Sequence, residues 1–123
     1  MLTVTYYNYF VVLMSDQTLG EFEQIVLLAI LRLGENAYGV TICEEIAAKT
    51  DRDPSPGALY NTLTRLEDKG LLKSRLGDPT AARGGRAKRF VKLTGQGIAA
   101  IARAQRAYQN LLQGVPLPGM AHG

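Results

Sequence analysis

Apolar residues along this chain recur in distinct regimes, and each regime predicts a different element. From Leu19 to Leu33 they are nearly continuous. Leu19, Phe22, Val26, Ala29, Ile30 and Leu33 form a stripe at helical spacing, and Ile25, Leu27, Leu28 and Leu31 fill much of the remaining circumference. A helix that is apolar nearly all round must be covered on more than one side. Thr18-Leu19-Gly20-Glu21 supplies a capping-box order at its start, and Gly34-Glu35-Asn36 ends it. A second helix is expected over residues 38–49, with Ile42, Cys43, Ile46 and Ala47 inward and a Glu45–Lys49 pair at supportive spacing. A connection over residues 50–54 leads to a third helix whose limits are written into it. Ser55 can cap the first amides, Pro56 fits the first helical position, and Gly70 supplies a left-handed stop. Leu59, Leu63 and Leu66 share the inner face of that helix. Gly57, Asn61, Thr64 and Asp68 lie opposite, with Tyr60 and Arg65 on the flanks.

Beyond Gly70 the pattern shortens to alternation. Residues 71–76 and 87–93 read as two strands, with Leu72 and Leu76 on one and Val91 and Leu93 on the other. The Pro- and Gly-containing stretch between them makes a long hairpin tip. A last helix over residues 97–113 is capped by Thr94. Its Ile98, Ile101, Gln105, Tyr108 and Leu112 recur at three-four spacing, which is a narrow seam between helices. Gly114 and the Pro-rich residues after it end the helix in a tail over residues 114–123.

A helix with a small, hydrogen-bonding outer face that stops sharply into a basic hairpin is the pattern of a winged helix-turn-helix. The expected fold class is therefore mainly α with one small β-hairpin, a winged helix-turn-helix over residues 18–94 followed by a dimerisation helix over residues 95–113. The third helix would enter a DNA groove while the hairpin grips the adjacent backbone.

Charge changes the picture through its placement. The net charge is only +3, but up to Thr64 there are three basic residues against eight acidic ones, and from Arg65 onward eleven basic against three acidic. Positive charge thus gathers on the third helix, hairpin and last helix, as a phosphate-binding surface requires. With 123 residues and a hydrophobic share of 46%, the chain suffices for one core and not for a separate catalytic lobe. The single cysteine, Cys43, excludes an internal disulfide and fits a reducing, cytoplasmic setting, and its neighbours make it a small buried hydrophobe. The single histidine, His122, sits in the tail without a sequence partner, and no phosphate loop, dinucleotide fingerprint or metal-ligand spacing occurs. No enzyme activity, cofactor or metal is expected. Residues 1–14 are uncharged and rich in strand formers, too short to span a bilayer and lacking the basic start of a signal. They read as an upstream extension with Met14 the true start, against a membrane tether or an extra strand; residues 1–17 are set apart accordingly.

Tyr38-Gly39, Gly57-x-Leu59-Tyr60, Arg65-Leu66-Glu67-x-x-Gly70-Leu71, and Gly85-Arg86 followed by Leu93-Thr94-x-x-Gly97 occur in this order. In that order and spacing the chain resembles the PadR family of bacterial transcriptional regulators, from about Leu19 to the end of the last helix. It departs from the family at Asn61, where proline is usual. The resemblance implies a homodimer built by the first and last helices, and effector control by a small molecule between the subunits. Relatives that stack planar drugs on a tryptophan of the last helix have no counterpart here, because the chain contains no Trp; Tyr108 is the aromatic that can line such a pocket.

The expected function is that of a sequence-specific, dimeric DNA-binding regulator, a repressor. Ser55, Asn61, Thr64 and Arg65 would contact double-stranded DNA, with Tyr60 on the flank and Arg83, Arg86, Lys88 and Arg89 on phosphates or the minor groove. For Arg65 an internal pair with Glu67 or Asp68 is the alternative. Phe22, Ile25, Ile98, Ile101, Gln105, Tyr108 and Leu112 would form the dimer interface. The rival reading is a winged-helix protein-docking module without DNA readout, against which the basic hairpin argues.

Overall fold

The computed structural model describes residues 18–78 and 87–119. The expectations for the N-terminal extension, for Arg83 and Arg86, and for His122 lie outside these residues. Helix α1 (Glu21–Leu33) runs through a short 3-10 turn (Gly34–Asn36) into α2 (Gly39–Lys49), and α3 (Pro56–Asp68) follows. Strands β1 (Leu72–Leu76) and β2 (Arg89–Leu93) form the hairpin stem, and α4 (Gly95–Leu112) closes the chain. The strands are antiparallel, in a register from Leu72 opposite Leu93 to Leu76 opposite Arg89. Val91 N–H also donates to the Ala37 carbonyl at 2.9 Å, so the segment before α2 borders the hairpin.

The core lies where α1, α2, α3, the strand starts and α4 meet. Val26, Leu27, Ile30, Ile42, Ile46, Leu59 and Leu66 are enclosed, with Leu63, Leu71, Leu72, Val91, Ala100 and Ile101 packed around them. Burying each large aliphatic side chain contributes about 1.5–3 kcal/mol, which fixes the helices against one another. Ala47 is exposed and is not part of the inward face of α2, and Leu76 stands 72% exposed at the far end of the stem.

Capping explains where the helices begin. Helix α1 is not capped by Thr18: Gly20 is the cap residue, and its N–H donates to Glu23 Oε1 at 2.9 Å. Ser55 Oγ accepts from Ala58 N–H at 3.1 Å to start α3, and Thr94 Oγ1 accepts from Gly97 N–H at 3.1 Å to start α4. At the end of α3, Gly70 takes φ +79°, its N–H donates to the Glu67 carbonyl, and Leu71 N–H donates to the Leu66 carbonyl. The Leu71 carbonyl then accepts from Thr94 N–H at 3.0 Å. Gly97 sits directly against it, and a Cβ at that position would lie 2.1 Å from the Leu71 oxygen. Only glycine lets α4 start this close to the end of α3.

Candidate nucleic-acid interface

The inward row of α3 is Leu59, Thr62, Leu63 and Leu66. Thr62 is buried because its hydroxyl donates to the Ala58 carbonyl at 3.0 Å, so it needs no outside partner. The opposite row presents Gly57, Tyr60 and Asn61 to solvent, with Thr64 half-buried behind them and Ser55 exposed at the cap. A Cβ at Gly57 would meet open space, so nothing inside the chain requires glycine there. In a helix that residue costs about 0.5–1 kcal/mol relative to Ala.

Arg65 does not pair with Glu67 or Asp68. Its Nε donates to Glu23 Oε2 at 3.1 Å, while about half of the side chain stays exposed. Lys69 Nζ, from the residue after α3, donates to the same carboxylate at 3.1 Å. Burial alone would push the Glu23 carboxyl up, but the Gly20 amide, Lys69 and Arg65 outweigh it and hold it below the ordinary carboxylate value. Glu23 therefore ties α1 to α3, a role that no local pattern announces.

The period of two splits the hairpin stem. On one face Ser74 and Arg89 turn to α3: Ser74 Oγ donates to Glu67 at 3.0 Å, and the Arg89 guanidinium is ion-paired with Glu67 and lies 5.4 Å from the centre of the Tyr60 ring. Arg89 foremost, with Ser74, keeps the Glu67 carboxyl below its ordinary value. Arg89 is thus engaged within the chain, unlike the open phosphate ligand that its position in the sequence implies. On the other face Phe90 meets the Tyr38 ring edge-on at 5.3 Å, and Arg75 covers Phe90 at 4.5 Å. Lys88 Nζ lies 4.5 Å over the Tyr38 ring and donates to its hydroxyl at 3.3 Å. The structure therefore sets Arg89 beside Tyr60 of α3 and Lys88 on Tyr38, and Tyr38, Tyr60 and Arg89 line one groove, while Ser55, Asn61 and Thr64 are placed by α3 alone. Tyr38 is the addition; in the sequence it marks only the start of α2.

An apolar groove of about 460 Å³ separates the start of α2 from α3, lined by Tyr38, Val40, Cys43, Pro56, Tyr60 and Arg89 among others. Burial first, then Asp53 and Glu44, push the Cys43 thiol up, which leaves it a poor nucleophile. Among the described residues no group of His, Cys, Asp and Glu is placed to hold a metal ion, and no helix is long and apolar enough to cross a membrane.

The expected dimer residues divide. Ile98 and Tyr108 are each 50% exposed on α4, Gln105 and Leu112 are half-buried beside them, and Leu111 is 78% exposed. Phe22 and Ile25 on α1 are half-buried, with Leu28 and Leu31 more open. Ile101 is corrected: it is buried in its own chain, because α4 turns that side onto α1. A residue already covered in the monomer adds no area to a contact between subunits.

Comparison with known proteins agrees with this geometry. Residues 27–103 match the model of the Transcriptional regulator PadR-like family. The chain is 39% identical over 87 residues to Transcriptional regulator Rv3488 of Mycobacterium tuberculosis, across 69% of this chain and 74% of that protein. In fold it is similar to a PadR family transcription regulator from Clostridium difficile R20291, with a TM-score of 0.63 at 21% identity, covering 75% of this chain and 92% of the other. It is also similar to a PadR family transcriptional regulator from Eggerthella lenta, with a TM-score of 0.59 at 22% identity over 94% of both chains. The winged helix is a DNA-binding fold, and the chain belongs to the PadR-like family of transcriptional regulators.

Proposed function

We propose that the chain is a sequence-specific repressor that binds double-stranded DNA as a homodimer. The observation that carries this reading is the outer face of α3, where Gly57, Tyr60 and Asn61 are exposed in one row. Charge alone does not make such a row; a surface meant only for solvation has no use for an unforced helical glycine beside an amide and an aromatic. Asn61 and Thr64 contact base edges, Asn61 with the paired donor and acceptor that adenine matches. Ser55 and Tyr60 flank them at the groove wall, and the half-exposed Arg65 lies within reach of the nearer strand. Lys88, with Arg83 and Arg86 of the hairpin tip, neutralises phosphates.

The second subunit is supplied by the apolar surface left on α4 and α1, namely Ile98, Gln105, Tyr108 and Leu112 with Phe22 and Ile25. Two copies place two recognition helices on one side of a duplex, with half-sites about one helical turn, roughly 34–36 Å, apart. A small molecule entering between the α4 helices, beside Tyr108, would change that separation and release the operator. Residues 18–94 act as the DNA-binding unit and residues 95–113 as the dimerisation unit, in a cytoplasmic protein without catalytic activity.

Footprinting across the region upstream of the protein's own gene tests the proposal. Protection of two half-sites one turn apart, lost with an unrelated duplex, is the expected result. Equal affinity for every duplex, or none for any, would remove the repressor reading and favour a docking module.

A further inference from the structure

We propose that Arg89 is a positioning residue that fixes Tyr60 for base reading, with Glu67 as its anchor, and is not a phosphate ligand; the proposal rests on the DNA-binding reading above. Arg89 opens β2, opposite Leu76 at the end of the stem. Its guanidinium meets Glu67, on the last turn of α3, and stands 5.4 Å from the Tyr60 ring centre. The same carboxylate accepts from Ser74 Oγ at 3.0 and 3.2 Å, so Glu67 is held from both strands at once. Tyr60 itself is 60% exposed and stands on the outer row of α3.

A planar guanidinium can bond a carboxylate through its edge and cover an aromatic ring with its face, which an ammonium cannot do. Arg89 bonds Glu67 and stands over the Tyr60 ring. Its presence beside the ring limits the directions open to Tyr60. The Arg89 N–H groups not engaged by Glu67 could reach a phosphate only beside that carboxylate, a like-charge contact that weakens the gain. Lys88, one residue earlier, meets a neutral tyrosine and, among the described residues, no carboxylate, so it carries no such penalty.

The test uses the full chain, a duplex selected from a random pool by the wild-type protein, and a scrambled duplex of equal length and composition. Binding is followed by fluorescence anisotropy over a salt series for Arg89→Ala, Arg89→Lys and Glu67→Gln, with circular dichroism melts to show folding. Arg89→Ala should lose about tenfold in affinity for the selected duplex, the size of one base contact. Scrambled DNA should bind as before, with an unchanged salt slope. Arg89→Lys should fail to restore discrimination although it keeps the charge, and Glu67→Gln should lose discrimination in the same direction. A slope shallower by about 0.9 per subunit with parallel loss on both duplexes would make Arg89 a phosphate ligand and overturn the proposal. So would full recovery in Arg89→Lys, or tighter binding by Glu67→Gln. Arg89→Lys and Glu67→Gln decide the matter even if Arg89→Ala does not fold. A wild-type protein that selects no duplex removes the DNA reading and this proposal together, whereas a discriminating wild type with the wrong variant pattern removes the proposal alone.

Discussion

Replacing Glu23 with Gln tests the junction between α1 and α3. The carboxylate is nearly enclosed and accepts from Gly20 N–H, Arg65 Nε and Lys69 Nζ. Gln keeps the volume and one carbonyl oxygen, but its amide hydrogens must then face one of the donors. Arg65 is about half exposed and can turn to water, so the loss of its partner costs little. Lys69 is mostly covered, and hydrogen bonds to charged groups contribute about 1.5–3 kcal/mol. Glu23→Gln should therefore destabilise the fold by about 2 kcal/mol near neutral pH, or on the order of 8 °C in Tm. Because the folded carboxyl titrates below its ordinary value of 4.5, its contribution is complete above that pH and is lost as pH falls through the folded value. The gap between wild type and variant should narrow on acidification, since a protonated Glu23 offers the cations no more than Gln does. Circular dichroism melts at about pH 7 and about pH 3 measure both gaps. No gap at the higher pH, or an equal gap at the lower one, refutes the reasoning.

Four further outcomes are expected. Asn61→Ala should weaken operator binding by about 1–3 kcal/mol while random duplex binds as before, read by anisotropy; equal loss on both would reassign Asn61 to the backbone. Gly57→Ala should act with opposite signs, raising stability by up to about 0.5 kcal/mol in a thermal melt, since the site is in the first turn, while weakening operator binding, because the added methyl meets no atom of its own chain. Replacing Arg83 and Arg86 with Ala should make the slope of log affinity against log salt shallower by up to about 2 per subunit, with similar loss on operator and random DNA. Ile98→Glu with Tyr108→Glu should give folded monomers by light scattering, since both side chains are half exposed in the single chain; an unchanged dimer mass would move the interface elsewhere.

Helix α3 is the most legible element because every signal that defines it is local. Ser55, Pro56 and Gly70 lie within the helix or next to it, and all three act as their chemistry requires. Local spacing says less where a partner is distant in sequence. Thr18 has the right spacing for a cap, yet Glu23 does the capping at Gly20, and it is held there by Arg65 and Lys69, more than forty residues away. Arg89 reads as one more cation in a basic run until the hairpin brings it to Glu67. Ile101 shows the limit of periodicity. A three-four seam has the same spacing whether it faces its own chain or another, and only the position of α1 decides that Ile101 turns inward. Ala47 fits the inward stripe of α2 by spacing but lies beyond the area that its neighbours cover.

The contact between Gly97 and Leu71 makes α4 a lever. Its fulcrum is the place where α3 ends, because the Leu71 carbonyl touches Gly97 and also receives the Thr94 amide. With 18 residues, α4 is about 27 Å long, so a tilt of about 10° at the fulcrum sweeps its far end through roughly 5 Å. Run in reverse, the ratio shields the end of α3. Several ångströms of play at Leu112 reach Gly70 as only a small rotation, and a displacement of given size turns α4 more the nearer to Ile98 it acts.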